Sequence, residues 1–279
     1  MSIPRPACPA CGAAFRPHFT VAGFEIERCG GCGLGRTVIP PGFDPSSIYD
    51  ESYFQGGQAD GYADYQGSRA ELSREFRQVV QLLRTTGISG GRLLELGCAY
   101  GFFLDEAVAH FEVRGVELAD HARQTCQARG LAVAASIEDP IVRAGAPFDA
   151  VVMLDVIEHL PNPGELLGQA AAMTRPGGRI VLTTGDFSAW VSRLMGSRWR
   201  LMTPPQHLWF FTPQALSRQL QQAGFEVESV THPGKRVPLS LIAYQLGRML
   251  GVRGGWRIKT SGALPVNLFD AMRVVARRV

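Results

Sequence analysis

Apolar and amphipathic segments alternate along the central part of the chain. Short segments rich in apolar residues predict strands at 92–96, 111–117, 131–135, 148–154 and 178–184. Segments with apolar residues three and four positions apart predict helices at 101–110, 119–129 and 163–174. Residues 151–154 are apolar at every position, which burial on both faces of a sheet requires. The pattern therefore predicts an α/β fold with a Rossmann-like, doubly wound and mainly parallel sheet.

Further elements are predicted on both sides of this region. Apolar residues recur at helical steps over 67–85 and 213–223, and a strand is expected to begin near Gly224. A last helix is predicted at 266–277. Prolines and glycines after residue 39 indicate a linker. Its aromatic residues either cap a pocket or pack the linker on the main domain; they are Tyr49, Tyr53, Phe54, Tyr62 and Tyr65.

The composition is that of a folded protein, because 46% of the 279 residues are hydrophobic and 19% are charged. The net charge of +3 is small, so it gives only weak support for binding to nucleic acid or to an anionic membrane. The first residues have no apolar core of the kind a secretory signal needs, and no stretch reaches the roughly 18–20 apolar residues that span a bilayer. We therefore expect a cytoplasmic protein.

Two CxxC pairs lie near the N-terminus: Cys8 with Cys11 and Cys29 with Cys32, separated by seventeen residues. Four-cysteine zinc sites typically have a spacing of about 15–20 residues. Four protein ligands leave no open position on the ion, so we predict a small module with a structural zinc. Reduced or redox-active cysteines are the alternative. The arginines nearby are scattered, so the module is expected to pack or to position substrate instead of gripping nucleic acid.

A glycine-containing loop, 95–101, follows the first central strand. Glycines there allow a ligand to approach the backbone, and the next helix offers unpaired N–H groups at its N-terminus. Glu117 ends the second strand, where an acidic side chain can accept hydrogen bonds from ribose hydroxyls. The glycines have the spacing G-x-x-x-G, which favours an adenosyl ligand over a dinucleotide, whose fingerprint is G-x-G-x-x-G.

Four motifs together resemble those of the class I S-adenosylmethionine-dependent methyltransferases, over about residues 67–232. They are Glu95-x-Gly97-x-x-x-Gly101, Gly115-Val116-Glu117, the segment 148–160, and Arg175-Pro176-Gly177-Gly178-Arg179 before a strand. The resemblance implies an enzyme that binds S-adenosylmethionine at the carboxyl edge of its sheet.

The same resemblance implies a role for each matching residue. The expected contacts are Glu95, Gly97, Ala99, Gly101 and Asp155 for the methionine part, Glu117 with Leu118 for the ribose, and Ser136, Ile137 and Glu138 for the adenine. The family often has glycine where this chain has Ala99. A methyl group is accommodated at that position if its φ is negative.

A narrower resemblance is to bacterial methyltransferases with an N-terminal CxxC…CxxC module, which are often associated with sugars of surface polysaccharides or of secondary metabolites. It rests on the cysteine pairs, on the segments 48–54 and 204–208, and on the Glu158-His159 pair. It implies a small-molecule acceptor, a sugar carried on a nucleotide or on a lipid phosphate. Two other functions stay open: an RNA methyltransferase, which the weak basic charge disfavours, and a non-catalytic cofactor-binding scaffold.

Candidate catalytic residues are His207, His159 and Glu158. Imidazole titrates near neutrality, so either histidine is a candidate base for a hydroxyl or carbon nucleophile, with a structural role as the alternative. Together with Asp155 these residues also resemble a group that binds a divalent cation in small-RNA 2′-O-methyltransferases. If the four converge, they would hold a cation that lowers the pKa of the acceptor hydroxyl.

Two further segments are candidates for acceptor or membrane contact. Residues 190–200 predict either a phosphate and sugar clamp or an amphipathic cover, formed by Arg193, Arg198, Arg200, Trp190 and Trp199. The region from Pro238 either lies on a membrane surface or packs on the catalytic domain. The predicted regions are a zinc module at 1–40, a linker and helix at 41–90, the methyltransferase domain at 91–232 and a C-terminal helical extension at 233–279.

Overall fold

The computed structural model describes residues 6–44, 69–239, 243, 247, 252 and 263–279. The linker aromatics at 49–65 lie outside the described residues. A small antiparallel unit comes first, with strands β1 (Phe15–Val21), β2 (Phe24–Cys29) and β3 (Gly35–Thr37). Ala22 and Gly23, both with positive φ, form the two-residue turn between β1 and β2. Such a turn matches the twist of the paired strands.

Most of the remaining strands build a seven-stranded central sheet. The strands after residue 91 are β4 (Arg92–Leu96), β5 (Glu112–Val116), β6 (Val133–Ala134), β7 (Phe148–Leu154), β8 (Thr174–Gly185), β9 (Trp209–Phe210), β10 (Phe225–Thr231), β11 (Lys235–Pro238), β12 (Ala263–Val266) and β13 (Ala271–Arg278). Of these, β9 pairs with β3 and β11 pairs with β12, and the other seven form the central sheet. The order is β10-β13-β8-β7-β4-β5-β6. Pairing is parallel from β8 to β6, and β13 runs antiparallel between β8 and β10. The predicted mainly parallel α/β sheet is confirmed.

Helices cover both faces of this sheet. They are α1 (Arg69–Thr85), α2 (Phe102–Ala107), α3 (Asp120–Ala128), α4 (Pro140–Arg143), α5 (Pro163–Met173), α6 (Trp190–Met195) and α7 (Pro213–Gln222). Successive strand residues point to opposite faces, so Val152 packs with α1, α2 and α3 whereas Val151 packs with α5 and α7. The carboxyl ends of β4, β5, β7 and β8 consequently meet at one edge, where ligands of such folds bind.

The N-terminal module shares a core with the main domain. Phe15 and Leu34 belong to the same buried cluster as Phe211 and Leu216. In addition β3 pairs with β9, so the small sheet has the order β1-β2-β3-β9 and includes a strand contributed by the main domain. The module is therefore built into the rest of the molecule.

The predicted helix at 266–277 is wrong, because Ala271–Arg278 form strand β13. The apolar residues of this segment fit helical as well as strand spacing, but its valines are β-branched and Met272, Val274 and Val275 are buried between two neighbouring strands. These C-terminal residues complete the central sheet and form no helical extension. Among the described residues, no helix has the length and apolar character required to cross a membrane.

Candidate cofactor and acceptor site

The loop between β4 and α2 is built around glycines that tolerate no side chain. Gly97 has a φ of +74°, and a Cβ there would lie 2.5 Å from Cγ2 of Val156. Gly101 has a φ of +72° and directly precedes α2. Because left-handed backbone favours glycine, both positions need this residue for conformation. Both also need it for space, since a Cβ at Gly101 would lie 2.8 Å from Cδ1 of Leu131.

Ala99 does not have the negative φ under which its methyl group was expected to fit, since its φ is +45°. This conformation directs the backbone N–H of Ala99 to Oε2 of Glu117 at 2.8 Å. A left-handed alanine costs on the order of 1–3 kcal/mol. The hydrogen bond to a buried carboxylate offsets part of that cost.

Glu117 is held at the end of β5 by two backbone donors. Its Oε2 accepts from Ala99 and its Oε1 accepts from the N–H of Ala119 at 2.8 Å. Burial raises the pKa of Glu117, and these two hydrogen bonds act against that rise. Each oxygen has a further lone pair with which to accept a ligand hydroxyl.

Glu95 is a buried acid at the same edge. Only 3% of its surface is exposed, and its Oε2 has no hydrogen-bond partner among the described residues. Burial, followed by the neighbouring Cys126 and Glu117, raises the pKa of Glu95 well above 4.5. A buried carboxyl oxygen without a partner fits the ammonium group of a bound ligand.

The residues expected at the adenine lie beside Glu117. The N–H of Glu117 donates to the carbonyl of Ala134 at 2.9 Å, which brings the chain after β5 next to the chain after β6. At this rim, meaning the edge of the sheet where the carboxyl ends of the parallel strands meet, Leu118 is 68% exposed and Ile137 is buried. Ser136 is exposed and accepts from the N–H of Glu138, and the Glu138 carboxylate pairs with Arg143. The structure thus brings the three expected groups of cofactor contacts to one edge of the sheet.

Asp155 follows β7 with a φ of +54°. Its N–H donates to the carbonyl of Thr183 at 3.0 Å, and its Oδ1 accepts from the hydroxyl of Thr183 at 2.8 Å. This exposed carboxylate is therefore fixed to β8 at the same rim.

Glu158, His159 and His207 form a cluster in which each offers a ligand atom within 4.8 Å of the others. Glu158 and His159 lie in the short 3-10 turn after Asp155, whereas His207 comes from the loop before β9. The two imidazole rings meet edge to face with centroids 4.7 Å apart. Asp155 lies outside this cluster, so three of the four predicted cation ligands converge.

Both histidines are anchored through the same ring nitrogen. Nδ1 of His159 lies 3.0 Å from the carbonyl of Gln206, and Nδ1 of His207 lies 2.8 Å from the carbonyl of Leu201. A carbonyl only accepts, so Nδ1 carries the proton and Nε2 the lone pair. Burial lowers the pKa of His159 to about 4 and that of His207 to about 3, the latter also because of His159. Both are neutral at pH 7, weak as bases and suited to metals.

The four N-terminal cysteines also lie within 4.8 Å of one another. Sγ of Cys8 is 3.5 Å from Sγ of Cys32, and Sγ of Cys11 is 3.4 Å from Sγ of Cys29. Four sulfurs at about 2.3 Å from one zinc ion have separations close to these. The N–H of Gly31 donates to Sγ of Cys29 at 3.3 Å, which stabilises a thiolate. The four sulfurs therefore fit one tetrahedral ion.

The predicted phosphate clamp is only partly available. Arg200 donates to both oxygens of the buried Asp270 at 2.9 and 3.0 Å, and Nε1 of the buried Trp199 donates to the same carboxylate at 2.9 Å. Trp199 and Arg200 thus connect the segment 190–200 to Asp270, the residue before β13. Arg193, Arg198 and Trp190 remain exposed. Asp270 carried no sequence signal, because its partners are 70 and 71 residues away.

Arg273 lies near the candidate site, and the sequence interpretation assigned it no role there. It lies opposite Thr183 in the pairing of β13 with β8, and Thr183 in turn binds Asp155. Nε of Arg273 is buried with no hydrogen-bond partner among the described residues. Burial lowers the pKa of Arg273, and the charges of Glu75 and Asp155 act against this. A helix over 266–277 would put this arginine near its C-terminal end, with no pairing to β8.

Comparison with known proteins agrees with this arrangement. Residues 68–230, more than half of the chain, match the family described as a methyltransferase domain. A ubiquinone biosynthesis O-methyltransferase of Xylella fastidiosa is 30% identical over 159 residues, which are 52% of this chain and 64% of that protein. One of Aromatoleum aromaticum is 29% identical over 157 residues, 51% of this chain and 67% of that protein. The chain thus spans less than two thirds of the length of the Xylella relative.

Solved structures share the fold. Magnesium protoporphyrin IX methyltransferase from Synechocystis, solved with bound S-adenosylhomocysteine, is 13% identical with a TM-score of 0.54, covering 84% of this chain and 97% of that one. An S-adenosylmethionine-dependent methyltransferase from Archaeoglobus fulgidus is 19% identical with a TM-score of 0.50, covering 77% of this chain and all of that one. The chain therefore belongs to the methyltransferase domain family, and the solved structures confirm the fold that its sequence predicts.

Proposed function

We propose that this enzyme transfers the methyl group of S-adenosylmethionine to a hydroxyl oxygen of a small molecule. Family membership supports the cofactor, and the curated relatives named as O-methyltransferases support an oxygen as acceptor atom. The observation that carries the proposal is the cluster of Glu158, His159 and His207 beside the loop that ends β7.

The residues around the glycine loop have the chemistry to hold this cofactor. The unpartnered Oε2 of Glu95 fits an ammonium group, and the fixed carboxylate of Glu117 fits the two hydroxyls of a ribose. Gly97 leaves the backbone open to close approach. The bound cofactor supplies an electrophilic methyl group on a sulfonium sulfur. These side chains orient it and contribute no proton to the transfer.

Glu158, His159 and His207 are the proposed ligands of a divalent cation beside the acceptor hydroxyl. Neutral imidazoles that donate Nδ1–H to backbone carbonyls are the form in which histidine binds metals, because the anchored ring presents Nε2 in a fixed direction. A hydroxyl coordinated to this cation would have a lowered pKa and would release its proton to solvent water before its oxygen accepts the methyl group. Asp155 lies outside this group of three ligands, and its hydrogen bond to Thr183 fixes its negative charge on the same rim.

The proposed acceptor carries an anionic group, as the phosphate of a nucleotide- or lipid-linked sugar would provide. Arg273 supports this class, because a guanidinium with a buried, unpartnered Nε is costly unless a ligand supplies the missing acceptor. Its register opposite Thr183 puts it at the same rim as Asp155. Exposed Arg193 and Arg198 are further candidates for phosphate contact.

The four cysteines are proposed to hold one structural zinc ion. Their sulfur separations fit a closed tetrahedral site, which leaves no position for substrate. The zinc accordingly serves the fold of the module and has no part in the methyl transfer.

Two variants test the site. Glu117→Ala should raise the Kd of S-adenosylmethionine by about 10- to 100-fold, because hydrogen bonds to a charged acceptor are lost. His207→Ala should leave that Kd unchanged and lower kcat by about 100-fold or more. Calorimetry gives the Kd. Formation of S-adenosylhomocysteine with a panel of nucleotide sugars and neutral hydroxylic compounds gives kcat and the acceptor class.

Removal of the cation separates the roles of the metals. Brief treatment with EDTA should abolish turnover while zinc content stays at one per chain, and Mn²⁺ should restore it. Equal loss of cofactor binding in the Glu117 and His207 variants would contradict the role given to His207. Cofactor binding without turnover on every acceptor would favour a scaffold.

A further inference from the structure

The strand that ends the cysteine module adjoins the cation ligands of the proposed site. β3 begins at Gly35 and pairs antiparallel with β9. In this pairing Gly35 lies opposite Phe210 and Arg36 lies opposite Trp209. β9 starts two residues after His207. The module is therefore hydrogen-bonded to the segment of the main domain that carries His207.

Thr37, the last residue of β3, makes two hydrogen bonds to this segment. Its N–H donates to the carbonyl of Leu208 at 2.9 Å, and its hydroxyl donates to the carbonyl of His207 at 2.6 Å. Thr37 is buried, so water is a poor substitute for either bond. The backbone carbonyls of His207 and Leu208 are consequently bonded to a residue of the cysteine module.

The opposite side of the same segment is bonded to the turn that carries the other two ligands. The N–H of Leu208 donates to the carbonyl of Glu158 at 2.8 Å. The ring of His159 bonds the carbonyl of Gln206 at 3.0 Å. Residues 206–208 therefore lie between Thr37 on one side and the Glu158-His159 turn on the other. A movement of this segment away from the turn would separate His207 from the other two ligands.

The cysteine site fixes the module end of this connection. β3 starts three residues after Cys32, and the carbonyl of Cys32 accepts from the hydroxyl of Thr212 at 2.8 Å. Arg36 is paired with the buried Glu27 of β2, which ties β3 to its neighbour. β3, and with it Thr37, is thus connected directly to the segment that carries Cys29 and Cys32.

From these contacts we propose that Thr37 is a positioning residue through which the cysteine module holds His207 in register with Glu158 and His159. The inference rests on the proposed function, because it assumes that these three residues bind a cation. Thr37 itself touches neither cofactor nor acceptor. Thr37 fixes the position of the backbone carbonyl of His207, whereas the carbonyl of Leu201 orients the imidazole ring of His207.

The test compares Thr37→Val, which keeps the shape and removes the hydroxyl, with Thr37→Ser, which restores the hydroxyl. Thr20→Val is the matched control, because Thr20 is an exposed threonine on β1 of the same module. Each protein is assayed for zinc content, for the Kd of Mn²⁺ and of S-adenosylmethionine by calorimetry, and for kcat and KM. Loss of a residue that orients a metal ligand typically weakens metal affinity or activity about 10- to 100-fold.

Thr37→Val should therefore raise the Kd of Mn²⁺ and lower kcat by about tenfold or more, with zinc content and the Kd of S-adenosylmethionine unchanged. Thr37→Ser should recover most of both, and Thr20→Val should behave as the native protein. Gly35→Ala offers a second route, because a Cβ there would lie 2.9 Å from Cβ of Phe210 and would push β3 from β9. It should show the same loss of Mn²⁺ affinity.

The outcomes distinguish the inference from the proposed function. If His207→Ala weakens Mn²⁺ binding while Thr37→Val and Gly35→Ala do not, the positioning role is overturned and the cation site stands. If His207→Ala leaves Mn²⁺ affinity and kcat unchanged, the proposed function fails at its cation site, and the positioning role fails with it.

Discussion

At the scale of single residues, Glu95 has the least favourable environment among the expected cofactor contacts. Burial raises its pKa well above 4.5. When the pKa of a carboxyl group is higher in the folded chain than in the unfolded chain, the folded chain is most stable at pH values below the unfolded pKa. That stability is lost as the pH rises through the folded pKa. Glu95 therefore destabilises the ligand-free protein increasingly above about pH 4.5.

Glu95→Gln removes this ionisation and keeps the shape of the side chain. We expect the ligand-free variant to melt about 2–8 °C above the native protein at pH 8, with the difference shrinking as pH falls toward about 4.5. Thermal unfolding followed by circular dichroism across this range measures it. Glu165→Gln, at an exposed position of α5, is the control. Parallel melting profiles for Glu95→Gln and the native protein would contradict the assignment.

At the scale of elements, the loop between β4 and α2 depends on Gly97 in two ways. Its φ of +74° and the approach of Val156 both exclude a side chain. Gly97→Ala should lower the free energy of unfolding by about 1–3 kcal/mol from the backbone alone, and more from the clash. It should also weaken binding of S-adenosylmethionine.

Gly164→Ala is the matched control for this substitution, because a Cβ at Gly164 in α5 meets no atom within 4 Å. It should be neutral or stabilising by up to about 1 kcal/mol. Chemical denaturation compares the two variants. Adding Val156→Ala to Gly97→Ala should recover only the part of the loss that comes from the clash. Full recovery would show that the left-handed φ contributes nothing.

β13 shows the limit of predicting secondary-structure elements from local sequence patterns. The five parallel strands of the sheet were predictable, because their apolar runs are bounded by turns and alternate with helical periodicity. The apolar residues of 271–278 fit both periods, and only the gap between β8 and β10 selects the extended form. An antiparallel strand inserted from the end of the chain has no local signature.

At the scale of the whole molecule, the cysteine module and the main domain share one buried cluster and one sheet. Loss of the metal should therefore affect the stability of the entire chain. Cys32→Ser should lower zinc content below one per chain and lower the melting temperature by about 4 °C or more, in a single transition. Elemental analysis and scanning calorimetry provide the measurements.

Cys126→Ser is the control for that variant, because Cys126 is a buried cysteine outside the four-cysteine group. It should keep its zinc. Two separate transitions in Cys32→Ser, one for each region, would show that the shared core does not couple them.

Features whose signals are local could be predicted from the amino-acid sequence. Strand and helix periods predict the parallel sheet, the spacing of Gly97 and Gly101 predicts the cofactor loop, and the paired cysteines predict a metal module. Each of these is set by residues within a few positions of one another, or by a spacing that itself encodes the chemistry. The position of the loop after the first central strand was predictable, whereas the left-handed φ of Ala99 was not, because it depends on the acceptor that Glu117 presents.

The assembly of the proposed acceptor side of the site depends on contacts between residues far apart in the chain. His207 lies 48 residues after His159, and the hydroxyl that holds its carbonyl comes from Thr37, 170 residues away. The same holds for β13, which carries Arg273 to the rim that Asp155 occupies. Such contacts depend on which faces of distant elements are buried against each other. That depends on the packing of the whole chain, and no spacing within the sequence records it.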